Sequence, residues 1–319
     1  MPHSLSLIAC PLAWLGRQGT LAVAVSAVLG ICLPPLSALA RPFLQEAVFA
    51  LLVLAFLRVD ITAIRGHLAR PVLLVAIVVW MMVVVPVGLG IFGRASGLIH
   101  AAPEMMLALY IVAVTPPLMS GPAFAYLLGL DGALSLAILV LGMVLTPISA
   151  PLLAPLVLGS ALPISAFALS LRLAGLLLGS VAVAYVLRRL LGNERVNAAR
   201  EEINGLNVVL LFVFAVAVMD GVAANFAENP YLSTAVAILT VLIALGQIAV
   251  TMLVFIAQGG ARAFVIALSA GNRNMSLIVA ALGAAVPDFT WLYFALAQLP
   301  IYFLPLLVKP IATRLTRNG

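Results

Sequence analysis

Long apolar blocks alternate along the chain with short charged or Pro/Gly-rich punctuation. A block of roughly 20 apolar residues, wound as a helix, crosses a hydrocarbon core of roughly 30 Å. On that basis the pattern predicts ten helical spans, over 20–39, 43–57, 72–92, 104–130, 134–158, 164–187, 205–224, 232–257, 262–286 and 290–308. The longest gap, 188–204, is charged and reads as a connecting loop. The opening residues, before the first block, read as an interfacial or fraying segment.

Two of the ten blocks are interrupted in the middle. The fourth contains VTPPLMSGP (114–122), with Pro116, Pro117, Gly121 and Pro122. Proline removes a backbone donor and clashes with the preceding turn, so no continuous helix is expected through them. The ninth contains SAGNRN (269–274), where Gly271 and the polar residues around it compete with helical hydrogen bonding. The interruptions stand roughly half the chain apart, each in the fourth block of a run of five. Five is odd, so the second run enters the membrane from the opposite side. The expected fold class is therefore an all-α polytopic membrane protein with ten transmembrane helices. They form two inverted five-helix repeats, 1–158 and 159–319, with helices four and nine broken and crossing and no separate soluble domain. Paired breaks in matching positions of inverted halves point to a secondary transporter's binding site.

Composition agrees with a lipid solvent. The 319 residues are 65% hydrophobic and 8% charged, whereas a soluble domain carries about 25% charged residues. The net charge of +6 is expected from arginine held on one face of a membrane, not from nucleic-acid binding. Under the ten-span threading one face collects Arg17, Arg58, Arg65, Arg70, Arg188, Arg189, Arg195, Arg200, Arg262, Lys309, Arg314 and Arg317, against only Arg41 and Arg94 on the other. The positive-inside rule then places both termini in the cytoplasm, in an inner or plasma membrane. Cys10 and Cys32 form no CxxC or Cys/His cluster, so no metal or disulfide is expected, and no cofactor. His3, His67 and His100 lie at ends or loops, and no two acids share a mid-membrane site. That argues against an intramembrane enzyme. A Walker loop is lacking as well, so an ATP-driven pump is not expected.

Residues 115–159 and 269–311 resemble helices 4–5 and 9–10 of the bile acid:sodium symporter superfamily, and the ten-helix repeat extends the resemblance over the chain. The resemblance implies a panel and a core, with helices four and nine crossing in the core and an organic anion as substrate. The positions that would hold sodium differ. Ser269 stands where sodium-using relatives have a glutamate, Arg273 stands for a glutamine, and Asn274 is retained. Pro122 and Ala123 replace a Ser-Asn pair, and Met81, before Pro86, falls near a further glutamine. Sodium coupling is thus not carried over, nor is the helix-four cysteine chemistry of arsenite permeases.

These departures suggest that Arg273 substitutes for sodium, its guanidinium filling carbonyl ends and offering remaining donors to an anion. The other reading is an arginine that only stitches broken helices together. The expected substrate-facing residues are Arg273, Asn274, Asn272, Ser269, Ser120, Thr115 and Met119. Their broken backbone is Pro116, Pro117, Gly121, Pro122 and Gly271. Gln247 and Gln298 read as helix glue or ligands. Asp220 is expected to pair with Arg172; otherwise Asp220 or Glu46 would couple proton movement. Gly175 and Gly179 form a GxxxG expected to pack closely. The expected partners are a small organic anion, membrane lipid and a coupling ion, sodium or proton; the oligomeric state is open, a homo-oligomer included. Alternatives are a transporter-like sensor or scaffold, and a sodium symporter with non-standard ligands.

Overall fold

The computed structural model describes residues 19–58, 61–68, 71–159 and 161–317. Cys10, His3, Arg17, Arg70 and the opening segment lie outside them. The described residues are helical throughout, apart from turns and one isolated bridge. The first half carries α1 (Gly19–Cys32), α2 (Pro34–Arg58), α3 (Ile61–Leu68), α4 (Pro71–Ala95), α5 (Leu98–Ala101), α6 (Pro103–Val114), α7 (Gly121–Leu127) and α8 (Gly132–Leu158). The second carries α9 (Ala166–Leu191), α10 (Asn193–Ala198), α11 (Arg200–Val218), α12 (Val222–Glu228), α13 (Pro230–Phe255), α14 (Gly260–Gly271), α15 (Ser276–Leu282), α16 (Asp288–Leu296) and α17 (Gln298–Arg317). Among the described residues six helical runs are long and apolar enough to cross a membrane: α2, α4, α8, α9, α13 and Glu201–Glu228. This is a multi-pass helical membrane protein. Side chains such as Val72, Leu152, Phe167 and Tyr231 stand exposed on these runs. They would be a liability in water but suit contact with acyl chains.

The helices differ from the hydrophobic pattern at several boundaries: the seventh block turns at 219–221 and the tenth at Ala297, and two further differences have clear causes. The first apolar block breaks at Leu33, which is extended (φ −122°, ψ 72°), because Pro34 opens the next helix. That helix then runs through a tightened turn at Arg41–Phe43 into the second block. The charged stretch 188–204 is helical instead of a loop. α9 continues to Leu191, Gly192, with φ +82°, separates it from α10, and Ala199 separates α10 from α11. Arginine, glutamate and alanine are good helix formers whatever their charge, so polarity misled there.

The chain divides into two compact units, each drawing on both halves of the sequence. One takes 19–58 and 175–233. In it Gly30 lets α1 approach α11, since a Cβ there would sit 2.8 Å from Met219 Cβ. Polar groups tie its helix ends. Arg58 donates to Asn204 and Asn207 Oδ1, both at 3.0 Å, and Arg188 donates to the Leu57 carbonyl. Arg41 meets Asp220 at 2.8 Å. The expected Arg172–Asp220 pair does not form: Arg172 donates to the carbonyls of Ala281 and Leu282, filling the end of α15. Of the GxxxG pair, Gly179 packs on Phe49 but Gly175 faces open space. Spacing alone did not define a helix contact.

The other unit takes 61–174 and 234–317 and holds both broken blocks. Its core packs Ile77 and Met81 of α4, Leu134 and Ile138 of α8, and Phe264 to Ala267 of α14. α8 stays helical through Pro147, Pro151 and Pro155. Each proline withdraws a donor from the carbonyl four residues back. The carbonyl freed by Pro151, that of Pro147, instead accepts from Ser170 Oγ at 2.7 Å.

Candidate functional site

The two broken blocks end their first halves alike. α6 stops at Val114 because Pro116 and Pro117 bring no N–H groups, leaving Thr115 extended (φ −75°, ψ 150°). α14 stops at Gly271, with Asn272 extended (φ −110°, ψ 96°). Extended backbone inside a membrane protein must find partners within the protein. Here each break supplies the other. Leu118 N–H donates to the Asn272 carbonyl at 2.9 Å, and Asn274 N–H to the Pro116 carbonyl at 2.8 Å. Pro117 and Arg273 thereby face one another in an antiparallel bridge. Gly271 allows α13 against this point: a Cβ there would lie 2.3 Å from Ile248 Cγ1 and 2.8 Å from the Ala244 carbonyl oxygen.

Arg273 is buried, at 3% exposure, and its guanidinium collects three carbonyls from three segments. Nε donates to Ala270 O at 2.7 Å, Nη1 to Thr115 O at 2.9 Å, and Nη2 to Met81 O at 3.4 Å. The first two are ends of the broken helices. The third has its own cause. α4 loosens into a π turn at Trp80–Val84, so that Val85 N–H reaches back to Trp80 O. In that register Met81 O would wait for residue 86, which is proline and has no N–H. An arginine donor takes the vacated acceptor. Trp80 steadies the turn, its indole N–H donating to Thr251 Oγ1 at 3.0 Å.

The remaining expected residues divide. Ser269 Oγ donates to Val265 O at 2.9 Å, and Thr115 Oγ1 to Val112 O at 3.2 Å. Asn274 Oδ1 accepts from Ser276 Oγ. Met119 and Ser120 lie half-buried in the turn before α7, while Pro122 is buried at its start. Gln298 is tied to its own turn, donating to Phe294 O at 3.2 Å. Gln247 Oε1 is buried with no hydrogen-bond partner among the described residues. Glu46 is exposed on α2, and Asp220 is engaged by Arg41.

Beside the crossing lies a small cleft. Pro117, Leu118 and Gly121 form one edge; Phe124, Leu128, Val265, Leu268 and Val308 make an apolar wall. Its polar side chains are Ser135, Ser269 and Asn272. Arg273 is not among the lining residues, and neither is Asn274. Ser135 escaped the sequence reading because a lone serine in an apolar helix carries no pattern. The π turn was foreshadowed only by Pro86. No family model matches the chain, and no curated protein sequence matches it.

Proposed function

We propose that the protein is a secondary transporter of a small organic solute, working by alternating access, with Arg273 as a tethered cation in place of a bound sodium ion. The carrying observation is the guanidinium of Arg273 bonded to three carbonyls where two broken helices meet. A sodium ion serves a similar purpose, since it gathers carbonyl oxygens from unwound backbone. A charge buried at membrane depth costs at least about 2.5–3.5 kcal/mol on insertion scales, and three acceptors offset part of that cost.

The finer architecture belongs to the same proposal: ten spans in two inverted halves, distantly related to the bile acid:sodium symporter superfamily. Tertiary contacts support the threading. Arg41 and Asp220, predicted for the same outer face, meet. So do Arg94 and Leu156, and Thr290 and Glu104. On the predicted inner face His67 meets Asp131, and Arg58 meets Asn204. Among the described residues no such pair joins an inner end to an outer one. The organic anion implied by the resemblance would need the N–H groups of Arg273 not engaged by carbonyls.

Counterflow in proteoliposomes tests the reading, using radiolabelled carboxylates, sulfonates and hydroxylated amphiphiles with sodium or choline as the cation. The expected result is a saturable exchange indifferent to sodium, much reduced in Arg273→Gln at equal expression. Flux that demands sodium would sink the tethered-cation idea. Binding without any exchange would favour a sensor.

A further inference from the structure

α4 is bonded in two registers. Its first half, Pro71–Val79, and its second half, Val85–Ala95, are α-helical, and the π turn at Trp80–Val84 joins them. A π turn bonds each N–H five residues back instead of four. The extra residue turns one half about the axis relative to the other by roughly 100°, one residue's share of a helical turn. Such a turn closes to α-helix when its N–H groups step to the carbonyls four residues back. For Val85 that carbonyl is Met81 O, the acceptor that Arg273 Nη2 occupies. Closure would also pass the vacancy opposite Pro86 from Met81 O to Met82 O. Arg273 therefore favours the open register. At 3.4 Å its bond to Met81 O is the longest of its three and beyond the usual N–H···O range, so it is the first to be given up.

The two halves are held differently. In the second, Gly90 and Gly93 bring the backbone itself against its neighbours. A Cβ at Gly90 would lie 3.2 Å from Val157 Cγ2, and one at Gly93 2.7 Å from Met106 Sδ. Rotation there would drive Leu89, Ile91 or Phe92 into α8 and α6, with the cost of overpacking. The first half has no such lock. Its nine residues, PVLLVAIVV, are apolar all round. A turn about the axis exchanges one aliphatic side chain for another against the core that Leu74 and Ile77 now join. A polar tie stands at the joint, where Trp80 donates to Thr251 Oγ1 at 3.0 Å and meets Phe255 edge to face, 6.4 Å between ring centres.

We propose that the π turn of α4 is a two-register joint held open by Arg273. When Nη2 leaves Met81 O, Val85 N–H takes that carbonyl, the turn closes, and Pro71–Val79 rotates, drawing Trp80 off Thr251. Arg273 acts on α4 as a positioning residue. As a step in a carrier's cycle the joint rests on the transport reading; as a coupling between Arg273 and Trp80 it does not.

Fluorine NMR of the full chain in detergent, labelled with 5-fluorotryptophan, reads the joint without any flux measurement. The Trp80 and Trp291 resonances are assigned with Trp80→Phe and Trp291→Phe. Trp291 packs on Phe294 in α16 and reports whether the fold is kept. Arg273→Lys replaces a planar fork with a single point of charge, which cannot serve the three carbonyls that three nitrogens now reach. Arg273→Gln removes the cation. In both, the Trp80 resonance is expected to shift or split while that of Trp291 stays. Deleting Val84, which is 44% exposed, supplies the control. The shortened α4 is an unbroken α-helix whose halves keep their facing. Val85 N–H then reaches Trp80 O from four residues on, and Pro86 still leaves Met81 O to Arg273. There the Trp80 resonance should match the parent's and stay put when Arg273→Lys is added. An unmoved Trp80 resonance in a substituted protein that keeps the Trp291 resonance would overturn the joint. So would an equal shift with Val84 deleted, or loss of the Trp291 resonance in both substitutions or on deleting Val84. Absence of counterflow with the expected shifts intact would defeat the carrier reading alone.

Discussion

At the scale of single residues, the crossing depends on one side chain and one missing side chain. Arg273 fills three carbonyls that have no backbone partner of their own, and Gly271 leaves room for α13 to approach. The cost of adding a methyl group at Gly271 follows from the geometry. A Cβ 2.3 Å from Ile248 and 2.8 Å from a carbonyl oxygen cannot be accommodated without moving α13. Gly271→Ala is expected to destabilise by about 1–3 kcal/mol or more, as overpacking does, and thermal unfolding in detergent would show the drop. A midpoint unchanged from the parent would mean that α13 yields freely. The polar character of this region was legible in the sequence, because an arginine between apolar runs has few explanations. Which groups Arg273 reaches was not, since Met81 and Thr115 come from distant parts of the chain and offer only backbone oxygen. The pairing of Arg172 with Asp220 failed for a related reason. Arg172 found free carbonyls at the end of α15, and Arg41 reached the acid instead.

At the scale of elements, proline governs the geometry in three different ways. At Pro116 and Pro117 it ends a helix, at Pro86 it leaves a π turn with a bare acceptor, and in α8 it removes donors without a break. The hydrophobic pattern predicted the first outcome and also the unbroken run of α8, where three prolines at four-residue spacing stay within a helix. The difference lies in the partners: Ser170 supplies a donor for the carbonyl that Pro151 abandons. A double-mutant cycle measures this compensation. Ser170→Ala should cost about 1 kcal/mol in the parent and close to nothing in Pro151→Ala, whose restored N–H reclaims the Pro147 carbonyl. Additive losses in the two backgrounds, read from unfolding midpoints, would show that serine and proline act independently. Pattern reading failed instead over 188–204, where charge was mistaken for irregular backbone.

At the scale of the whole molecule, ten apolar blocks and their arginine bias argue for an odd number of crossings between the loop after α4 and the Gly192 corner. With Cys10 and Cys32 replaced by serine, single cysteines introduced at Ser96 and Asn193 should differ in intact cells. A membrane-impermeant maleimide should label the first and spare the second until the membrane is opened. Labelling of both from outside would break the inverted-repeat threading. Membrane residence was legible from composition alone. The division into two units was not, because each unit gathers segments from both halves, and such pairing is written in three-dimensional contacts that no linear period encodes.

The bridge between Pro117 and Arg273 has a mechanical corollary. Two hydrogen bonds and a shared guanidinium clasp make each unwound strand the scaffold of the other, so neither can slide alone without stranding polar backbone in a greasy surround. Any displacement of one strand must carry the pair together as a single stiff lever.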